Sequence, residues 1–268
     1  MSLLFDRVAT VTLVPRGKPG IRISGLRLEF SIEKDRSTTP NSLELKISNL
    51  AENTLTTLEK KTTSVMLEAG YKDNAELLYV GDLTEIEDVR EGVDRVTTFK
   101  AGDGANSLRD STLFESFAAG VTLSQVFARI AQSMGVPLGE VRGVSSEQYV
   151  SGFSAAGSSR KTLDILARRL KLRWSIQDGQ LQVLPAEEPS ASEAVRLSPE
   201  TGLIQQPERT DDGVKFVSLL QPRLQPGRKV VLESRILRGT FLVEKVEHEG
   251  DTHGDIWQSS VTARPVRS

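Results

Sequence analysis

Cysteine is absent from the 268 residues, so the chain can carry neither a disulfide nor a thiolate metal site, and its stability is independent of the redox state of its compartment. Histidine occurs only at His248 and His253. Aromatic residues make up 5% of the chain, fewer than a sugar-binding cleft calls for. An excess of one charge is missing too. The 34 basic and 36 acidic residues leave a net charge of −2, and with it no long-range field to gather nucleic-acid phosphates or anionic lipid. Apolar residues nowhere run for the roughly 18 positions of a membrane-spanning helix. Met1-Ser2-Leu3-Leu4-Phe5-Asp6-Arg7 lacks a basic stretch followed by an apolar one, so no signal peptide is read. These absences predict a soluble chain with no membrane contact.

What is present is mostly the pattern of antiparallel sheet. Apolar and polar residues alternate in 43–48 and 64–71, which puts one face of each strand in a core and the other in water. Ile21 and Ile23 lie in one phase and Leu26, Leu28, Phe30 and Ile32 in the other; a bulge or tight corner at Gly25 explains the flip. Asn53 is positioned to cap a short helix over 53–60 that turns Leu55 and Leu58 inward to plug one end of the sheet. Segments 79–87 and 94–101 read as a hairpin around Arg90-Glu91-Gly92-Val93, closed by a sheet-breaking Gly102-Asp103-Gly104 turn.

The period changes in the middle of the chain. Thr122 caps a helix whose apolar face carries Leu123, Val126, Phe127, Ile130, Ala131 and Met134, stopped by Gly135 and Pro137. A second helix from Ser159 presents Leu163, Leu166, Ala167 and Leu170, with Arg168, Arg169 and Lys171 in its last turn. It leads into a hairpin of Leu172, Trp174 and Ile176 against Leu181 and Val183, turned by Asp178-Gly179. Residues 185–199 read as a surface crossing. Alternation then returns in Val214, Phe216 and Ser218, in Phe241 and Val243, and in Trp257, Ser259 and Val261. The fold class expected is β-rich α+β, with two antiparallel β-barrel-like domains at 1–105 and 186–268 and a small α/β insert at 106–185 between them.

Catalytic arrangements are not evident. His248, His253, Asp251 and Asp255 have donor atoms that suit zinc, but the structural alternative is a polar turn. In that reading Asp251 accepts backbone hydrogen bonds, Gly250 and Gly254 take strained dihedrals, and Trp257 opens the next strand. No metal, cofactor or catalytic residue is assigned, and Gly250, Asp251, Gly254 and Trp257 are read as a structural loop. Serines at 145–146 and in the Ser/Gly/Ala run 151–159 have no histidine near in sequence; the run reads as a flexible loop before a helix. Gly102-Asp103-Gly104 lacks the Lys-Ser or Lys-Thr of a phosphate loop. The carboxylates of Asp211-Asp212, Glu187-Glu188 and Glu85 with Glu87 read as solvated surface acids rather than a glycosidase pair.

Gln221-Pro222-Arg223-Leu224-Gln225-Pro226-Gly227, a Gly239-Thr240-Phe241 strand, His253-Gly254-Asp255 and the Trp257 strand follow one another in an order that resembles the C-terminal barrel of phage baseplate hub proteins. Phe30-Ser31-Ile32-Glu33-Lys34, Asn41, the 43–50 strand, Asn53-Thr54, Gly70-Tyr71, Leu78-Tyr79-Val80-Gly81-Asp82 and the stretch 97–104 are similar to the motifs of the N-terminal barrel. The resemblance, to the T4-like central hub and late control protein-like family, covers most of the chain. It implies a homotrimer whose six barrels form a ring matching a hexameric tail tube on one side and a trimeric central spike on the other. The implied partners are the spike protein, the tail tube protein and other baseplate proteins, with DNA only as cargo through the channel. The implied location is the virion tail baseplate, after synthesis in the bacterial cytoplasm. The alternatives are a distal-tail or tube-initiating component of similar fold and a tail-associated cell-wall hydrolase.

Overall fold

A computed structural model of the chain describes residues 6–58, 63–72, 74–144 and 152–266. The N-terminal part contains β1 (Arg7–Pro15), β2 (Ile21–Ile23), β3 (Leu28–Asp35), β4 (Ser42–Ser48), α1 (Glu52–Thr57), β5 (Thr63–Tyr71), β6 (Glu76–Glu91) and β7 (Asp94–Gly102). The middle holds α2 (Ala105–Asp110), β8 (Thr112–Phe117), α3 (Leu123–Met134), β9 (Leu138–Val141), β10 (Phe153–Ser158), α4 (Ser159–Leu170), β11 (Leu172–Gln177) and β12 (Gln180–Pro185). The last part comprises β13 (Val195–Leu197), β14 (Glu208–Thr210), β15 (Gly213–Leu219), β16 (Lys229–Glu233), β17 (Arg238–Asp251) and β18 (Trp257–Pro265).

The β-rich α+β class is what the structure shows. The strands of the two end parts join in one 13-stranded sheet along the path β14-β15-β18-β17-β3-β4-β7-β6-β5-β1-β2, with β13 and β16 branching from β17. The two barrel-like units are thus curled halves of one sheet, and among the described residues the pairing closes neither of them.

Strand β17 makes the join. From Arg238 to Leu242 it pairs with β16, and from Lys245 to Asp251 it pairs with β3. Between these runs its register against β18 slips at Glu244. An extra residue of this kind bends a strand and adds twist, which aims the two halves of β17 into different cores. Val243 and Val246 lie in the core of the last part. Gly250, beyond them, pairs with Phe30 and Trp257, both of which belong to the N-terminal core.

Local signals explain most elements. Gly25, at φ 76°, turns β2 into β3, a corner as expected. Asp178 and Gly179, with φ of 51° and 78°, supply the two left-handed residues that a two-residue hairpin favours. Thr122 and Gln125 form a reciprocal capping box on α3, and Gly135 ends it in the left-handed region. Leu123, Val126, Phe127, Ile130, Ala131 and Met134 are all buried in the core of the middle part with Leu163, Leu166 and Trp174.

Three expectations need correction. Helix α1 starts at Glu52 with Ala51 as its N-cap and no side-chain cap; Asn53 lies inside it, its carbonyl accepting from the Thr56 and Thr57 hydroxyls. Leu58 is nonetheless buried and Leu55 packs on the same core, while residues 59 and 60 lie outside the described residues. The Ser/Gly/Ala run before α4 is no flexible loop from 153 onward: it forms β10, paired along its length with β8. Ala and Gly are weak strand formers, so it is the pairing with β8, including Phe153 against Phe117, rather than propensity that sets this strand. The crossing 185–199 contains β13, paired in parallel with β16, and Leu197 is buried in the core. Its Glu, Ser and Pro content masked a three-residue strand.

Candidate functional site

The loop joining β17 to β18 is built around Asp251. Its Oδ1 accepts from the His253 N–H at 2.8 Å, and its Oδ2 accepts from Arg27 Nη2 at 2.9 Å. Thr252 and Leu28 tie the loop to β3 through Thr252 N–H to Leu28 O and Leu28 N–H to Thr252 Oγ1, each 3.0 Å. Partial burial works to raise the Asp251 carboxyl pKa, but the His253 and Gly254 N–H groups and Arg27 outweigh it and hold the group below the usual carboxylate range.

Neither Gly250 nor Gly254 has a positive φ, so the strain expected there is absent; both glycines answer to space. A Cβ on Gly250 would lie 2.4 Å from the Phe30 ring and 2.7 Å from Trp257. These rings meet edge-on across it with centroids 5.4 Å apart. A Cβ on Gly254 would lie 2.3 Å from Asp251 Oδ2. Arg7, at the start of β1, donates to Gly254 O at 2.5 Å and to Asp255 O at 3.1 Å, and its guanidinium sits 5.8 Å from the Trp257 ring centroid. The loop thereby ties the first strand of the chain to the last hairpin.

The remaining sequence candidates do not come together. His248 is fully buried on β17 with Nδ1 2.8 Å from Ser259 Oγ. Burial and then the nearby Lys34 charge lower its pKa to about 3, opposed by the Leu224 backbone, so the ring is neutral. His253 is exposed and bonds Thr252. The serines at 145–146 lie outside the described residues. Glu187 pairs with Arg264 and Glu85 with Lys100, as surface acids do. Among the described residues, no helix is long and apolar enough to cross a membrane.

A buried polar junction lies where the three parts of the chain meet, and the sequence reading does not anticipate it. Lys34 of β3, its side chain fully buried, pairs with Asp178 in the β11–β12 turn. The other oxygen of Asp178 accepts from Gln225 Nε2 at 2.9 Å. Fully buried Asp103 accepts from the Gly179 N–H at 2.9 Å. Asn41 donates through Nδ2 to Gln177 Oε1 at 3.0 Å and to Ile176 O at 3.1 Å, while its carbonyl accepts from the Tyr79 hydroxyl at 3.0 Å. Burial first, and then the Asp178 charge, push the Asp103 carboxyl up to about 7. One signal was available: Lys34 falls in the buried phase of Leu28, Phe30 and Ile32, where only a paired cation is tolerated. Asp103 and Asp178 carried no such mark, since both sit in segments that turn chemistry alone explains.

The sequence and the fold both have matches among known proteins. Residues 10–262 match the family baseplate hub gp41. The chain belongs to the baseplate hub gp41 family. Its role is therefore a structural one in a phage tail baseplate. No curated protein matches it in sequence. Its fold is similar to that of the 43 kDa tail protein of prophage MuSo2 from Shewanella oneidensis, with TM-score 0.66, 11% identity, 96% of this chain and 98% of that one covered. A tail protein from Neisseria meningitidis MC58 is similar at TM-score 0.65 and 11% identity over 96% of both chains. The E. coli c3393 protein, a type VI secretion component described as similar to T4 tail proteins gp27 and gp5, aligns at TM-score 0.59 and 12% identity over 96% of this chain and 77% of that one. At such identities the likeness shows a shared fold, and this hub chain has that fold over nearly its whole length.

Proposed function

We propose that this hub chain is a non-catalytic symmetry adaptor: three copies form a ring of six β units that meets a hexameric tail tube on one side and a trimeric central spike on the other. The observation that carries the reading is β17, which belongs to both curled halves of the sheet. One chain then presents two β units in fixed relation, and three chains present six. The division into 1–105, 106–185 and 186–268 is part of this reading, as is a structural role for the loop of Gly250, Asp251, Gly254 and Trp257.

Free strand edges supply the joints. The path through the sheet ends at β2 and β14, and among the described residues β6 beyond Asp82 pairs only with β7. Such edges carry unpaired N–H and C=O groups that are ready to pair with another chain. Outside the three cores β3, β4 and β17 present Glu29, Glu33, Glu44, Glu247 and Glu249, an acidic surface in which Glu29, Glu33 and Glu44 also pair with Arg27, Lys245 and Lys46. That acidic surface suits a wet channel wall that lets DNA pass without holding it.

Light scattering of the purified chain, alone and with the candidate spike protein, tests the reading. A mass three times that of the 29.4 kDa chain, alone or on the spike, is expected. A hexamer, or a monomer indifferent to the spike, would replace the adaptor with a distal-tail component or a free-standing binding module.

A further inference from the structure

Outside the Asp251 loop and the polar junction, one open cleft combines positive charge with an unmet hydrogen-bond donor in its wall. It has a volume of about 430 Å³ and lies between the β3–β4 connection and the end of α4. Among the described residues lining it are three arginines, Arg36, Arg168 and Arg173, and one carboxylate, Asp164. Asp164 Oδ1 accepts from Trp174 Nε1 at 3.0 Å, and the three guanidinium groups outnumber its one negative charge.

Arg36 is only 7% exposed. Its Nη1 donates to Glu244 Oε1 at 2.9 Å, but its Nη2 is buried without any partner. Glu244, the bulged residue of β17, is shared: Arg264 Nε lies 2.6 Å and Arg173 Nη1 3.5 Å from its oxygens. One carboxylate therefore serves three guanidinium groups, with Glu187 taking part of Arg264. Arg168 is exposed and makes no ion pair among the described residues. A buried guanidinium N–H without an acceptor is costly, and guanidinium forks match the paired oxygens of carboxylate and phosphate groups.

We propose that this cleft is an oxyanion-binding site, in which the forks of Arg168 and Arg173 hold one phosphate or carboxylate group and Arg36, in the wall behind them, turns its unpartnered Nη2 toward it. The site draws Arg36 from the N-terminal part and Arg168 and Arg173 from the middle part, so a bound oxyanion bridges the two. The group arrives either as a free phosphate or as an acidic side chain presented by a neighbouring protein.

Isothermal titration calorimetry of the full chain at fixed ionic strength, with inorganic phosphate and separately with N-acetylglutamate, tests this. Saturable binding of one equivalent, weakened at least tenfold in the Arg168→Gln/Arg173→Gln variant, is expected. Phosphate binding assigns a free anion, and N-acetylglutamate binding without phosphate assigns a carboxylate. Both substitutions are at exposed positions, and circular dichroism checks that the variant folds; Arg36 is left intact because its loss would disturb the core. Absence of saturable binding with either probe, or equal binding in the variant, overturns the proposal.

Discussion

Single residues in this chain are governed by what surrounds them more than by their own propensity. Asp103, with its pKa raised to about 7 from an ordinary value of 3.8, binds its proton more tightly folded than unfolded. Its contribution to stability is full below the unfolded value and is lost as pH rises toward 7. His248, lowered to about 3 from 6.5, acts oppositely: its contribution is present above 6.5 and is lost as pH falls toward 3. Over roughly pH 4 to 6.5 the two slopes oppose each other. Asp103→Asn, which mimics the protonated acid, is expected to remove one of them. Relative to the parent, the variant gains stability with rising pH across about 4 to 7, by up to roughly 1.4 kcal/mol per pH unit. Urea denaturation at several pH values measures this; parallel curves for parent and variant contradict it. At Gly250 the constraint is steric. Gly250→Ala drives a methyl into the Phe30 and Trp257 rings, and a cost of about 1–3 kcal/mol in urea denaturation is expected.

At the scale of elements, the β11–β12 turn acts as a latch, held by Lys34 and Asp103 from the N-terminal part and by Gln225 from the last. Lys34→Met leaves Asp178 without its cation, and breaking a buried pair from one side costs about 3–5 kcal/mol. Hydrogen exchange in β11 and β12 is expected to rise. Lys34→Met/Asp178→Asn, which leaves no charge unpaired, is expected to recover much of the loss; a double variant as unstable as the single would show that the pair does not set the cost. The elements themselves were largely legible. Alternation located β4, β5, β15 and β18, and helical spacing located α3, with its Thr122 cap, and α4. Strands β13 and β14 at three residues and helix α2 at six are too short for a period to register. Strand β10 was hidden because Ser, Gly and Ala serve loops and ribbons alike.

For the whole molecule, the threefold mass expected from light scattering is the prediction that decides the adaptor role. By itself the sequence determined the β-rich class, the helical middle, the apolar faces and the resemblance to baseplate hubs, because periodicity, turn residues and motif order are local properties. Only the tertiary structure decided that the two β units are one sheet, since a strand changing partners at Glu244 looks in sequence like any other strand. It also decided which charges are buried. Lys34, Asp103 and Arg36 meet partners 144, 76 and 208 positions away, and no pattern along the chain encodes a contact made across such separations.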